Sequence, residues 1–226
     1  MRGNASRDVY DKIRSDILSL QLMPGEEISI NRVAEEMGVS RSPVRDALIR
    51  LSLESLVDIY PQRGCWVSLI DLERVDEERF LRHSLEKSVL SYFIEYSKPS
   101  DIQRLEYIIS KQKEDAEADD KNAFFSSDDE MHMSIFQTAR KERSWNIIAR
   151  ETGHYRRMRL LSFQMKGVYE KNIAQHEELV GALKEKNIQK ALQIEGEHIF
   201  KLTFETGEII RTNPLFFKEE RKNEIE

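Results

Sequence analysis

The chain has 226 residues, a net charge of −6 at pH 7, five prolines, nine glycines and one cysteine. That length accommodates two domains, each able to bury a core, but residues 1–70 hold 9 Lys/Arg against 10 Asp/Glu and the remainder 26 against 31, so any DNA contact must come from locally clustered arginines. No apolar run approaches the ~20 residues of a membrane span, the first eight residues lack a signal-type apolar run, and Cys65 has no internal disulfide partner, all of which sets the expectation of a cytoplasmic protein with no membrane role.

Val9, Ile13, Ile17 and Leu20 fall at helical spacing and predict an amphipathic helix over 8–20, which Pro24-Gly25 breaks. Ser29 is placed to cap a short helix from Asn31 to Met37, with Val33, Ala34 and Met37 inward and Gly38 as its stop. The next helix is expected to open near Ser42. Ser40 or Ser42 can cap it, Pro43 supplies the fixed φ of a first position, and Val44, Leu48 and Leu51 form its inward stripe. Arg41 and Arg45 project from its start on a different face, where free amides favour a phosphate and a guanidinium can also pair with the O6/N7 edge of guanine. Two short helices joined by Met37 to Ser40 make a helix-turn-helix, the second a recognition helix. Taken alone, the stretch also fits an amphipathic helix with solvated arginines. From Val57 the period shortens to two, through Ile59, the turn Pro61-Gln62-Arg63-Gly64, Cys65 and Val67, which predicts a β-hairpin. Directly after a recognition helix it is a wing, with Arg63 able to reach a minor groove and Gly64 allowing close backbone approach; the alternative is an edge hairpin that only completes the core.

Ser68 to Glu73 reads as a linker, giving a DNA-binding domain at 1–70 and a second domain at 71–226. Helices are expected at 71–97, 99–119, 121–139, 142–166, 168–185 and 187–211, an antiparallel all-α bundle in a mainly α protein, followed by a charged tail from Lys218 that frays. Within the bundle Asp128 and His132 share an inward stripe with Phe125, Ile135 and Ala139. His176 shares one with Ile173, Val180 and Leu183, and His198 with Ala191, Ile194 and Leu202. Three imidazoles and a carboxylate aimed at one interior suit a divalent metal, which would also offset the cost of burying Asp128. Each histidine alone fits a satisfied core residue better than a ligand, and it is the four together that point to a metal. His83 and His154 read as partner-facing or solvated. A metal-dependent hydrolase is the rival use of the four residues, although no His-Glu-x-x-His occurs and Glu130 and Glu177, the nearest other acids, point away from the stripe.

The run Val39-Ser40-Arg41-Ser42-Pro43-Val44-Arg45-Asp46-Ala47-Leu48, preceded by Ala34-Glu35-Glu36-Met37-Gly38 and followed by Gln62-Arg63-Gly64, resembles the GntR family of bacterial transcription regulators over about residues 8–68. The resemblance implies a winged helix-turn-helix that binds double-stranded DNA as a homodimer at a palindromic operator. Its DNA contacts would come from Ser40, Arg41, Ser42, Pro43, Arg45, Arg63 and Gly64. The acidic residue usual after the Ser29 position is Ile30 here. The second domain resembles the FCD domain, the helical effector-binding and dimerisation domain of one large GntR subfamily. The resemblance lies in Asp128-x-x-x-His132, His176, His198 and the Arg-x-x-Leu-Glu pattern of Arg82 to Glu86. It implies a divalent metal, Zn²⁺, Ni²⁺ or Mn²⁺, at Asp128, His132, His176 and His198, with open positions for a small organic acid effector. Arg82 and Arg157, within the basic run Arg156-Arg157-Met158-Arg159, are the candidates to pair the rest of that acid; a solvated or dimer-facing edge is the other reading of the run. Glu142-Arg143-Ser144-Trp145 stands where the family has a Gly-Asn pair, and Met131 replaces the common Phe before the metal histidine. The expectation is a transcription regulator, not an enzyme, with operator affinity set by a small carboxylate at a metal site; a regulator that senses the ion itself is the variant of this reading.

Overall fold

The computed structural model describes residues 2–200 and 202–219, with side chains over 5–200 and 206–219. The tail expected to fray lies, from Glu220 on, outside the described residues. Two compact units emerge: 1–75 with 153–158 and 208–226, and 76–152 with 159–207. Among the described residues no helix is long and apolar enough to cross a membrane.

The first unit begins with α1 (Arg2–Leu18), α2 (Ile30–Glu36), α3 (Arg41–Leu53) and a hairpin of β1 (Val57–Tyr60) and β2 (Gly64–Val67). Val9, Ile13 and Ile17 of α1 are buried with Val33 and Ala34 of α2, Val44, Leu48 and Leu51 of α3, and Val57, Cys65 and Val67 of the hairpin. The inward stripes read from the sequence thus meet in one core. Ser29 caps α2 by accepting the Arg32 N–H at 3.3 Å. At the other end Gly38 takes φ +63°, with Gly38 N–H to Glu35 O (3.2 Å) and Val39 N–H to Ala34 O (3.0 Å) closing the helix as a Schellman motif. α2 lies one residue earlier than expected, and α3 starts at Arg41 rather than near Ser42. Pro43 therefore occupies the third helical position, still among the first four whose N–H groups have no partner within the helix. The hairpin pairs Val57 with Val67 and Tyr60 with Gly64, and its turn holds Gln62 at φ +62°.

A third strand-like segment was not evident in the sequence. Residues 25–28 run along β2 through Gly25 N–H to Val67 O (2.9 Å), Val67 N–H to Glu26 O (2.9 Å) and Ile28 N–H to Cys65 O (2.8 Å). The first unit also takes in the start of α4 (Leu72–Tyr96) and the first turn and a half of the helix Gly153–Ser162. There His154 and Arg157 are fully buried. The Arg157 guanidinium donates to Ser68 O at 2.6 Å, to Ser68 Oγ at 3.2 Å and to Gly153 O at 3.3 Å. His154 Nδ1 accepts from Asp71 N–H at 3.1 Å, and Nε2 donates to Ser55 O at 3.0 Å, which makes the ring neutral. Burial first, and Arg157 beside it, hold the His154 pKa down at about 3. The solvated or partner-facing position expected for His154 is therefore corrected: its ring is a buried structural acceptor.

The second unit comprises the rest of α4, α5 (Pro99–Glu117), α6 (Lys121–Thr138), α7 (Glu142–Glu151), the end of α8 (Gly153–Ser162), α9 (Val168–Lys184), α10 (Ile188–Phe200) and the start of α11 (Leu202–Thr212). α5 packs on α6 and α9, α9 on α10, and α6 on α7. Pro99 opens α5, and Asp101 accepts the Lys98 N–H at 2.7 Å; Asp120 caps α6 by accepting from Asn122 and Ala123 N–H. The long helix expected at 142–166 is instead two. Thr152 leaves helical geometry at φ −110°, ψ 44°, and turns its hydroxyl onto Ile148 O. Gly153 opens the next helix where a Cβ would stand 2.6 Å from Leu56 Cδ2, so any larger residue would have to displace that buried side chain. The helix expected at 187–211 is helical over 188–200 and 202–212, on either side of Lys201, which lies outside the described residues.

Candidate DNA interface and metal centre

On α3 the buried stripe leaves Arg41, Ser42 and Arg45 exposed at the first turn, after an exposed Ser40; Arg63 is exposed on the hairpin turn. Ser40 makes no side-chain cap, so the first amides of α3 are not sealed from within as those of α2 are. Arg41, Arg45 and Arg63 take part in no ion pair among the described residues. Arg14 and Arg50 differ: Arg14 pairs with Glu54 at 2.9 Å, and Arg50 lies over the Tyr10 ring. Gly64, half-buried at φ +138°, would bring a Cβ to 3.1 Å from Trp66. The free cations therefore sit at the helix start and the turn tip, where a phosphate backbone could be gripped despite the negative chain.

In the second unit Asp128 and His132 on α6, His176 on α9 and His198 on α10 converge. Their ligand atoms lie within 4.8 Å of one another, and all four residues are buried. Each imidazole is held from behind. His132 Nδ1 stands 2.7 Å from Glu86 Oε2, His176 Nδ1 2.8 Å from Gln112 Oε1, and His198 Nδ1 3.1 Å from Gln175 Oε1. Because those partners are acceptors, Nδ1 carries the proton in each ring and Nε2 turns a lone pair inward. His132 Nε2 and Asp128 Oδ1 are then buried with no hydrogen-bond partner, and His176 Nε2 faces His198 Nε2 at 3.4 Å, lone pair to lone pair. An N₃O set of this kind fits a divalent ion, whose bonds of about 2.0–2.2 Å would use His132 Nε2 and Asp128 Oδ1 together with a nitrogen of each other imidazole.

The electrostatics around the set are more balanced than the sequence indicated. Burial, the largest influence, would raise the Asp128 carboxyl, but Arg159, ion-paired to Oδ2, together with His132, His176 and Arg82 outweighs it and holds the group well below the usual carboxylate range. The buried carboxylate, whose cost a metal was expected to offset, thus already has a cationic partner within the chain. Burial also works to raise Glu86, and Arg82 and His132 overcome it to hold the group at about 2. Glu195, buried on α10, goes the other way: burial and then the nearby Glu86 push it up to about 9. His83, expected to be partner-facing or solvated, is half-buried with Nδ1 3.0 Å from Glu195 Oε2. Trp145, part of the departure from the family pattern, lies parallel to the His132 ring with centroids 6.4 Å apart.

Residues 5–67 match the family described as bacterial regulatory proteins, gntR family, and residues 79–200 match the FCD domain. An uncharacterised HTH-type transcriptional regulator in an unstable DNA locus of Streptomyces ambofaciens is 31% identical over 208 residues, 92% of this chain and 86% of that one. The chain belongs to the GntR family, FCD group. This GntR chain is also 27% identical over 215 residues to the HTH-type transcriptional repressor RspR of Escherichia coli, covering 95% and 94% of the two chains. In fold it is similar to E. coli McbR/YncC, with a TM-score of 0.77 at 18% identity over 92% of this chain and 98% of that one. It is a DNA-binding transcription regulator. Its domains and relatives are those of regulators and not of enzymes, so the hydrolase alternative is set aside.

Within this GntR regulator the four metal candidates come together, but the two arginines chosen for an effector do not act alike. Arg82 is buried and committed to Glu86, thereby standing behind His132. Arg157 belongs to the first unit and is spent on Ser68, and the arginine at the cluster is Arg159, two residues later. Sequence reasoning named Glu86 only within a family pattern and gave it no role, and it missed Gln112, Gln175 and Glu195. Glu130 and Glu177 pair with Lys111 and Lys113.

Proposed function

We propose that this regulator grips a palindromic operator as a homodimer and that a small organic acid, seated at a divalent ion held by Asp128, His132, His176 and His198, sets its affinity for that DNA. The DNA side rests on Ser40, Arg41, Ser42, Pro43 and Arg45 at the start of α3 and on Arg63 and Gly64 at the hairpin turn. The observation that carries the sensing side is the arrangement of three imidazoles, each with Nδ1–H occupied behind, whose inner nitrogens gather with the Asp128 carboxylate. A bound Zn²⁺, Ni²⁺ or Mn²⁺ would supply open coordination positions for a carboxylate oxygen. The chain's own residues do the rest. Glu86, Gln112 and Gln175 fix the ring orientations, Arg82 anchors Glu86, and the surrounding apolar helices keep water from competing.

The test is operator binding by fluorescence anisotropy with protein stripped by chelator, reloaded with each of the three ions, and titrated with short hydroxy- and dicarboxylic acids. A change in operator affinity that needs both ion and acid supports the reading. A response to ion alone makes the ion the effector, and no response to either removes the sensing role. Replacing His132 by Ala should reduce bound metal from one per chain to none by elemental analysis while leaving the winged helix folded.

A further inference from the structure

The two oxygens of Asp128 live in different surroundings. Oδ2 stands 3.9 Å from His132 Nε2 but is ion-paired with the Arg159 guanidinium, which lies 4.4 Å over the Phe125 ring and 3.8 Å from Asp129. Oδ1 lies 3.5 Å from His176 Nε2 and has no hydrogen-bond partner. The carboxylate is fully buried on a helix packed on both sides, so it cannot exchange these roles by turning out to water. A carboxylate with both oxygens free is able to chelate an ion; one with an oxygen committed to a guanidinium offers a single oxygen.

We propose that Arg159 is a positioning residue of the metal centre: by occupying Asp128 Oδ2 it makes Asp128 a one-oxygen ligand and keeps a coordination position open for an organic carboxylate. This rests on the metal reading above. It has an electrostatic corollary of opposite sign to ordinary support. The guanidinium shares a carboxylate with a dication and therefore weakens the hold on the ion, while its positive charge favours an anionic guest. Removing it tightens the metal and loosens the guest. A residue that only supported packing would, on removal, loosen both.

The experiment uses the full chain with Co²⁺ as a spectroscopic probe and acetate as the guest, comparing wild type with Arg159→Gln, Arg159→Met and Arg159→Lys. Wild-type Co²⁺ bands should shift on adding acetate. Arg159→Gln should bind Co²⁺ at least about tenfold more tightly in chelator competition, in keeping with loss of a nearby like charge, and its bands should ignore acetate at concentrations that saturate wild type. Arg159→Lys, which keeps a cation on Oδ2, should restore the acetate response. Arg159→Met retains an unbranched stem over Phe125 and gives a second neutral side chain should Gln misfold, with circular dichroism reporting folding. Equal or looser Co²⁺ binding with an intact acetate response in the neutral variants overturns the role of Arg159 and leaves the metal reading standing. No Co²⁺ uptake by wild type overturns both.

Discussion

Arg45 is exposed on the first turn of α3, so truncating it to alanine removes a charge and a hydrogen-bonding fork without opening a cavity. Arg45→Ala should weaken operator binding by about 1–3 kcal/mol, measured by anisotropy, with an unchanged melting temperature. Wild-type affinity in that variant would remove α3 from the interface. His154 makes a separate prediction for acidity. Its folded pKa is held at about 3, below the ordinary histidine value of roughly 6.5, so between these values the unfolded chain takes up a proton that the native ring refuses. Stability should therefore fall as pH drops below 6.5, by up to about 1.4 kcal/mol per unit from this group. Urea midpoints of wild type and His154→Gln should show the variant with the shallower slope between pH 6.5 and 4.5, and parallel slopes would refute it. The convergence of the four candidate ligands was legible because Asp128 and His132 stand four apart on one stripe and each other histidine shares a stripe with apolar neighbours. The groups behind them were not: Glu86, Gln112 and Gln175 are polar residues on separate helices, and only tertiary packing turns them inward. Arg157 and Arg159 show the same limit. Two residues apart on a helix, they point to nearly opposite sides, and nothing in the local sequence says which side meets the carboxylate.

At the level of elements, glycine and proline marked most of the joints correctly, and the first core followed from apolar stripes that periodicity alone exposes. The failures share one cause. The break at Thr152-Gly153 carries no proline and continues an amphipathic pattern; its reason is the approach of Gly153 to Leu56, nearly a hundred positions earlier. The 25–28 segment has no alternation of its own and is defined by what it hydrogen-bonds to on β2. Gly153→Ala tests the first of these: its Cβ would force Leu56 to move within a closed core, and the chain should lose about 1–3 kcal/mol in denaturant unfolding. A loss under half a kilocalorie would show that the close approach relaxes freely.

For the molecule as a whole, a chain of net charge −6 that binds a polyanion does so through few contacts, so the salt dependence of operator binding should be shallow for a DNA-binding protein and each lost arginine should reduce the slope by about one. If an acid at the metal changes operator affinity by some factor, operator must change affinity for the acid by the same factor, because both are one coupling free energy. Calorimetric titration of the acid into free and DNA-bound protein checks this, and unequal factors would show that the two events are not linked through a common equilibrium. Saturating metal at about a hundred times its dissociation constant should add about 2.7 kcal/mol to the stability of the native state, lost again with chelator.

Cys65 sits on β2 with little exposure, and burial pushes its thiol upward in pKa, away from the reactive thiolate. The chain thus carries a natural clock for the opening of its winged helix: a thiol reagent such as Ellman's should label native protein only as fast as that core unlocks, and operator DNA should slow the colour change without any dye, tag or engineered probe.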